Sequence, residues 1–273
     1  MAEEIPKLDS TKREVVYGIP GMESLRVQRD VEFRGDGDAP LTMDIYYPHE
    51  SKSEERTPAV IFVTGYPDPG VKSIFGCTSK EMGSYTSWAR LAAASGLVAI
   101  TYTNIDPATA VHSALQHVRQ NAASLGIDEN RIGVWSCSGN VPVALSVLLQ
   151  ESEGFLKCAV LCYGFMLDLD GTTFVADASN QWRFVNASAG KSVTDFPQDL
   201  PLFIVRAGRD EFPHLNETID RFVLAALAHN LPITLVNHAS GPHAFDLSDD
   251  SEVSREVVRR ILTFMQFHLL GSG

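Results

Sequence analysis

A short stretch of the sequence, GVWSCSGN at residues 133–140, places three potential nucleophiles within three positions. They are Ser136, Cys137 and Ser138, and they follow an apolar run that is typical of a β-strand. A hydroxyl or thiol group attacks a carbonyl carbon efficiently when a neighbouring base takes its proton and a third group orients that base. Small polar residues directly after a strand therefore predict a nucleophile on a sharp turn. The alternative interpretation is an ordinary polar loop.

The base and the orienting acid must come from other parts of the chain. Among the eight histidines, His243 lies in a loop, SGPHAFDL, directly after the last predicted strand, whereas His238 lies on that strand and is more typical of a packed residue. Asp210 follows the strand in PLFIVRAGRDEF, and Asp168 follows an earlier strand. Glu211, next to the first of these acids, is interpreted as a surface charge.

The elements that would position these groups alternate along the chain from about residue 40 to its end. Apolar runs bounded by turn residues predict strands at 41–48, 59–65, 97–103, 131–135, 158–165, 201–208 and 233–238. Helical spacing of apolar residues predicts helices at 86–96, 107–125 and 141–150, a helix between the last two strands, and a last helix after Asp249. Buried strands that alternate with helices predict a mostly parallel sheet with helices on both faces.

Two segments depart from this alternation. Residues 1–40 are interpreted as a loosely held N-terminal arm followed by one or two antiparallel edge strands. Residues 166–200 have no clear period but carry several aromatic residues, and a segment of that length within a compact domain is usually functional or a small insertion. We therefore predict a short cap at 166–200 within a single domain that spans residues 1–273.

The block RIGVWSCSGN resembles the nucleophile elbow of the α/β-hydrolase family, in which a strand, a tight turn and a helix carry the motif G-x-S-x-G. The resemblance covers about residues 40–270 and is greatest to the esterase and dienelactone-hydrolase-like branches. It implies an α/β-hydrolase fold with a mostly parallel sheet of about eight strands. Both motif glycines are replaced, by Ser136 and Asn140, which are small or conformationally adaptable.

The resemblance also implies roles for individual residues. Ser138 takes the nucleophile position, where the dienelactone enzymes have a cysteine, and His243 takes the position of the base, since HAF resembles the common HGF of the family. Asp210 takes the position of the acid, and the order serine, aspartate, histidine matches the family. Asp168 stays open as an alternative acid. Cys137 is interpreted as a packed thiol, and Ser136 as a small filler or a hydrogen-bonding support.

An oxyanion hole is implied by the same resemblance. One expected donor is the backbone N–H of Gly139, at a helix N-terminus where the helix dipole favours negative charge. The other is expected in the loop after AVIFVTG, which resembles the H-G-x segment of the family with Thr64 in place of the histidine. The expected donor there is the N–H of Tyr66, because Pro67 has none.

Composition argues against several other classes of protein. The chain has 273 residues, of which 44% are hydrophobic, and a net charge of −12, which argues against a nucleic-acid or anionic-membrane partner. Its apolar runs are too short to span a membrane, and the acidic start MAEEIPKLDS lacks a secretion signal. The four cysteines form no C-x-x-C pair. We expect a cytoplasmic protein without metal or organic cofactor, of open oligomeric state.

Together these features predict a carboxylesterase-type serine hydrolase that cleaves a small-molecule ester through an acyl-enzyme. A lactonase, a peptidase, a carbon–carbon-bond hydrolase and a non-catalytic small-molecule-binding protein stay open as alternatives. Tyr85, Phe174 and Trp182 are candidate substrate-binding residues, because they lie in the irregular segments 65–85 and 166–200, which flank the predicted site. They predict a small apolar pocket that prefers acyl chains of about two to six carbons, without interfacial activation.

Overall fold

The structure is a computed structural model that describes residues 10–34, 40–49, 56–150 and 154–271. Its strands are β1 (Arg26–Arg34), β2 (Leu41–Tyr47), β3 (Thr57–Phe62), β4 (Val98–Tyr102), β5 (Ile127–Cys137), β6 (Leu156–Cys162), β7 (Leu202–Ala207) and β8 (Ile233–His238). Its helices are α1 (Asp68–Phe75), α2 (Gly83–Ala94), α3 (Pro107–Gln120), α4 (Ala122–Leu125), α5 (Val141–Gln150), α6 (Phe174–Trp182), α7 (Leu215–Ala228), α8 (Phe245–Ser248) and α9 (Glu252–Leu270).

The eight strands of the described residues form one sheet in the order β1-β2-β4-β3-β5-β6-β7-β8. The pairs β1/β2 and β2/β4 are antiparallel, and all other neighbouring strands are parallel. After β3 the chain turns to one side to form β4 and then crosses to the other side to form β5. The carboxyl ends of β3 and β5 therefore border the point where the strand order reverses, which is where open α/β sheets place their ligand sites.

The apolar composition of the central strands explains why they are covered on both faces. Every residue of β4 is buried, and β3 and β6 are buried except for one partly exposed residue in each. Helices α3, α5 and α7 contribute to an apolar cluster on one face of the sheet, and α2 and α9 contribute to a cluster on the other face. Full burial of one large apolar side chain stabilises a fold by about 1.5–3 kcal/mol, so the two clusters hold the strand ends in fixed positions.

The predicted strands and long helices are confirmed, with ends that differ by a few residues. The structure contains three helices that the sequence pattern did not predict, including the short α8 that follows His243. Helix α1 lies within the irregular segment 65–85, and α6 lies within the predicted cap. None of the described helices is both long enough and apolar enough to cross a membrane.

The described part of the N-terminal arm is held more firmly than the sequence predicted. Val15 donates its backbone N–H to Ser87 Oγ on α2 at 2.9 Å, and Val16 donates to the carbonyl oxygen of Asp246 at 2.8 Å. Tyr17 and Ile19 pack against the cluster that contains α2 and α9. The arm therefore packs against the cluster that contains α2 and α9, beside the loop that carries His243.

Candidate active site

The turn after β5 holds Ser138 in a strained backbone conformation. Ser138 has a φ of 55°, in the left-handed region that residues other than glycine rarely adopt and that is often found at functional sites. A short 3-10 turn follows at residues 138–140, and α5 begins directly after it. Gly65 lies against this turn so closely that a Cβ there would come within 2.6 Å of Asn140 Cα. The neighbouring loop thus leaves no room for a side chain beside the turn.

Three side chains predicted from the sequence lie together at the carboxyl edge of the sheet. Ser138 Oγ lies 2.9 Å from His243 Nε2, and His243 Nδ1 lies 2.6 Å from Asp210 Oδ2. The Asp210 side chain is fully buried, whereas that of His243 is partly exposed. With a proton on Nδ1 donated to the carboxylate, Nε2 is free to accept the serine proton.

Backbone hydrogen bonds fix the two loops that carry Asp210 and His243. Gly208 donates its N–H to the carbonyl oxygen of His238 at 2.8 Å, and Arg209 donates to that of Gly241 at 2.9 Å. The Asp210 carboxylate also accepts the N–H of Phe212 through Oδ1 at 3.0 Å. These bonds join the loops after β7 and β8 directly. The backbone therefore helps to fix the distance between the Asp210 carboxylate and the His243 imidazole.

The alternative acid, Asp168, has a different role in the structure. Its two carboxylate oxygens accept the N–H groups of Val175 at 2.8 Å and Ala176 at 3.0 Å, which lie in the first turn of α6. This arrangement caps the helix. His238, the other histidine near the site, is buried and bonded to Ser254 Oγ at 2.8 Å. The structure therefore brings Asp210, and not Asp168, to His243.

A second buried carboxylate, that of Asp246, lies near the His243 imidazole. Asp246 accepts a hydrogen bond from Tyr163 Oη at 2.5 Å and another from Trp88 Nε1 at 2.7 Å. Burial raises the pKa of Asp246, although these two hydrogen bonds oppose the change. The Tyr163 ring packs edge-on against His243 with 5.0 Å between ring centroids. Asp246 therefore orients a ring that contacts the imidazole.

The two predicted oxyanion donors lie on loops that touch each other. Gly139 is the second residue of the 3-10 turn, in which the N–H of Val141 donates to the carbonyl oxygen of Ser138. The Gly139 N–H comes before this bonded group, at the start of the turn, where backbone donors have no partner within the turn. A Cβ on Gly139 would lie 2.4 Å from Tyr66 Oη and 2.8 Å from the Phe184 ring, so a larger residue would require these side chains to move. On the facing loop, the Gly65 N–H donates to Asn140 Oδ1 at 2.7 Å, while the Tyr66 N–H has no acceptor among the described residues.

The structure also distinguishes the three candidate nucleophiles. Cys137 lines the cavity described below, and burial together with the Asp246 charge raises the pKa of its thiol to about 12. The thiol is therefore protonated at neutral pH and a poor nucleophile. Ser136 is fully buried, and its Oγ has no hydrogen-bond partner among the described residues, as expected of a small filler. Only Ser138 reaches His243.

A cavity of about 600 Å³ opens at Ser138 and His243. Its wall is mostly apolar and includes Val71, Met82, Tyr85, Trp88, Trp135 and Tyr163. Two predicted substrate-binding residues, Tyr85 and Trp182, line it. The third prediction is not supported, because Phe174 stacks on His214 with 4.1 Å between ring centroids and does not line this cavity. Phe174 lies at the start of α6, whereas the cavity is lined by the end of that helix.

Two residues of the site were not singled out by the sequence. Asn140 was noted only as a replacement for a motif glycine, and Asp246 was not considered. The HAFDL segment contained a signal for Asp246, since an acid three residues after the histidine falls on the same loop. Its partner Trp88, however, lies 158 positions away in the sequence.

Neither a protein-family model nor a curated protein matches the sequence. Solved structures match it over most of its length. A hyperthermophilic esterase from the archaeon Pyrobaculum calidifontis is 20% identical, with a TM-score of 0.66 over 88% of this chain and 85% of that one. A thermophilic esterase from the planctomycete Thermogutta terrifontis is 20% identical, with a TM-score of 0.63 over 90% of this chain and 93% of that one.

A third match, the structure of esterase Est22 with p-nitrophenol, is 17% identical, with a TM-score of 0.68 over 94% of this chain and 85% of that one. All three matched proteins are esterases. At such low identity, the agreement concerns the path of the chain. The fold predicted from the sequence is confirmed: the chain has the α/β-hydrolase fold that these esterase structures share.

Proposed function

We propose that this protein is a serine hydrolase that cleaves carboxylic esters through an acyl-enzyme intermediate. The observation that carries the proposal is the continuous hydrogen-bonded chain from Ser138 through His243 to Asp210. It lies beside an apolar cavity, at the sheet edge where this fold places its ligand sites. The fold shared with esterases supports the choice of esters as substrates.

In the first half of the reaction, His243 Nε2 takes the hydroxyl proton of Ser138 while Oγ bonds to the ester carbonyl carbon. The electron pair of the carbonyl double bond moves onto its oxygen, and the N–H groups of Gly139 and Tyr66 stabilise that oxyanion. Stabilisation of this kind contributes to the rate because the donors are already oriented in the free enzyme. The tetrahedral intermediate then expels the alcohol, which takes its proton from His243.

In the second half, water replaces the alcohol. His243 takes a proton from water as the water oxygen attacks the acyl carbon, and the same amides hold the second oxyanion. Collapse breaks the bond to Ser138 Oγ, which recovers its proton from His243, and the acid product leaves. Asp210 keeps the imidazole in the required tautomer and stabilises its charged form in both halves. Every proton is therefore returned, and these steps need no further group.

The volume and the apolar wall of the cavity support an ester with a large apolar group as the substrate. The sequence predicted a small pocket for acyl chains of about two to six carbons. The volume of about 600 Å³ is larger than that prediction requires. Pockets of about 300–1,000 Å³ enclose ligands of drug size. The aromatic wall formed by Trp88, Trp135 and Tyr163 favours a bulky or ring-containing substituent on one side of the ester bond.

The experiment that tests the proposed function combines turnover with covalent labelling. Ser138→Ala should lower kcat for p-nitrophenyl esters by about 10⁴ to 10⁶-fold, because the nucleophile is removed. Ser136→Ala and Cys137→Ala should retain most of the activity, since neither side chain bonds to His243. A phosphonate should label Ser138 in peptide mapping. A structure of Thermogutta terrifontis esterase 2 phosphonylated by sarin gives a precedent for such an adduct on this fold.

The outcomes separate the remaining alternatives. A wild-type protein that binds esters without turnover, and that no phosphonate labels, would be a binding protein and would refute the proposal. Labelling at Cys137 or Ser136 would refute the assignment of the nucleophile. Parallel assays with a lactone, a peptide amide and a β-diketone distinguish the esterase from a lactonase, a peptidase and a carbon–carbon-bond hydrolase.

A further inference from the structure

The residue two positions after the proposed nucleophile has a side chain where the family motif has glycine. That residue, Asn140, is not among the described residues with positive φ. The position therefore does not need the conformational freedom for which glycine or asparagine is often selected. The Asn140 side chain is buried, so another reason for its presence must be sought in its contacts.

Both ends of the Asn140 amide group make hydrogen bonds to backbone. Oδ1 accepts the N–H of Gly65 at 2.7 Å, and Nδ2 donates to the carbonyl oxygen of Cys137 at 2.9 Å. Gly65 belongs to the loop after β3, and Cys137 is the last residue of β5. One side chain thus joins the two loops that carry the proposed oxyanion donors.

The bond to Gly65 also determines which amide of the β3 loop remains available. The Gly65 N–H is occupied by Asn140, and Pro67 has no N–H, so Tyr66 alone can donate from this part of the loop. On the opposite side of the loop, Asn104 Nδ2 donates to the carbonyl oxygen of Tyr66 at 3.1 Å and to Thr64 Oγ1 at 3.0 Å. Asn140 therefore holds the peptide unit before Gly65, and Asn104 holds the one after Tyr66. The unit between them, which carries the Tyr66 N–H, is held by Val185, whose N–H donates to the Gly65 carbonyl oxygen at 2.8 Å.

We propose that Asn140 is a positioning residue that holds the Tyr66 N–H at the correct distance from the Gly139 N–H for a shared oxyanion. The proposal rests on the proposed function. The amide acts through the backbone of its neighbours and makes no contact with the reacting atoms. Because misplacement of a catalytic group by about 1 Å can cost about 100-fold in rate, a clamp between the two donor loops has a direct effect on turnover.

The test compares Asn140→Ala and Asn140→Asp with the wild-type protein. Asn140→Ala should lower kcat for p-nitrophenyl esters by about 10 to 100-fold and leave KM within about twofold, because the clamp acts in the transition state. The affinity for a trifluoromethyl ketone, whose hemiketal with Ser138 Oγ mimics the tetrahedral intermediate, should fall by a similar factor. Asn140→Asp keeps the shape and the acceptor for Gly65 but loses the donor to Cys137. It should be impaired at least as strongly.

The matched control is Asn121→Ala, which removes a comparable bond from Nδ2 to the His117 carbonyl oxygen at 2.9 Å, far from the site in the fold. It should keep kcat and the ketone affinity at wild-type values. A measurement that does not use activity is amide hydrogen exchange at Gly65, which should become faster in Asn140→Ala and not in the control. Close contact between the backbones of Gly65 and Asn140 persists in the variant, so we expect the fold to be retained.

The proposal is wrong if Asn140→Ala keeps wild-type kcat and ketone affinity, or if Asn140→Asp restores full activity, which would indicate a simple filler. It is also wrong if exchange at Gly65 does not change. These outcomes differ from failure of the proposed function, in which the wild-type protein itself shows no turnover and no labelling of Ser138.

Discussion

At the residue scale, the position of each acid decides its role. Asp210 bonds to the imidazole, whereas both oxygens of Asp168 are bonded to the start of α6. We expect Asp210→Asn to lower kcat/KM for p-nitrophenyl esters by about 10⁴-fold, because an amide facing Nδ1 favours the wrong tautomer. Asp168→Asn should change it by less than about tenfold and lower the melting temperature instead. A large loss of activity in Asp168→Asn with little loss in Asp210→Asn would mean that Asp168, which follows β6, is the catalytic acid.

The residues of the site differ in how far the sequence could reveal them. Ser138, Asp210 and His243 each lie within five residues of a strand end, so the strand pattern placed them at one edge of the sheet. Their roles were implied by the resemblance to the α/β-hydrolase family. Asn140 could not be assigned a role in the same way, because its partner Gly65 lies 75 positions away. A hydrogen bond between two loops depends on the register of β3 with β5. Because β3 is a nearly continuous apolar run that is buried on both faces, it lacks the alternation that would specify its register.

At the scale of elements, a buried lysine fixes the turn that precedes α2. Lys80 Nζ bonds to Asp44 Oδ1 on β2 at 2.7 Å and to Asp30 Oδ1 on β1 at 2.6 Å. The adjacent Ser79 donates its N–H to Asp68 Oδ1 at 2.8 Å and lines the cavity. Anchoring of this turn therefore connects the edge of the sheet to the wall of the cavity.

Lys80→Ala should lower the free energy of unfolding by about 3 kcal/mol. The buried Asp44 carboxylate would lose the ammonium group that offsets the cost of burying its charge. Burial lowers the pKa of Lys80, but the bonds to Asp30 and Asp44 outweigh it and raise the pKa above its usual value. The stabilisation is thus fully present below about pH 10.4 and is lost as the pH rises through the folded-state pKa. Urea unfolding from pH 7 to 11 measures both effects. Equal stability of the two proteins at pH 7 would contradict the prediction.

Among the helices that the sequence did not predict, α1 and α6 are short and bury only two residues each. Helix α1, with the sequence DPGVKSIF, has a proline and a glycine in its first turn and buries only Asp68 and Val71. Helix α6 receives its cap from Asp168, several residues before its start, and Thr173 at the N-cap position makes no capping bond. Both helices are stabilised by tertiary contacts, so a pattern search over a few residues finds neither.

At the scale of the whole molecule, the cavity is assembled from segments that are distant in sequence. Its lining includes Thr11 from the arm, residues of α1 and α2, Trp135 from β5, Trp182 from α6 and the loop that carries His243. The aromatic composition of two of these segments predicted a small apolar pocket, and the cavity has an apolar wall but a volume of about 600 Å³. Its volume could not be predicted, because it depends on how the segments are spaced by the sheet and by the arm.

Gly70 allows the size of the cavity to be tested. It lies on α1, lines the cavity, and a Cβ at this position would meet no other atom within 4 Å. Gly70→Phe should therefore be accepted by the fold and occupy part of the cavity. Ser73→Phe is the matched control, because Ser73 is exposed on the same helix and is not part of the cavity lining.

We expect wild-type kcat/KM to rise from p-nitrophenyl acetate to p-nitrophenyl octanoate, since each buried methylene contributes about 0.8 kcal/mol. Gly70→Phe should lower kcat/KM for the octanoate by about tenfold or more and leave the acetate value within about twofold, because only the longer chain needs the occupied space. Ser73→Phe should change neither. A wild-type preference for the acetate would support the prediction of short acyl chains. It would contradict the proposal that the substrate carries a large apolar group. Equal losses with both esters would mean that Gly70→Phe disturbs Ser138 and not the cavity.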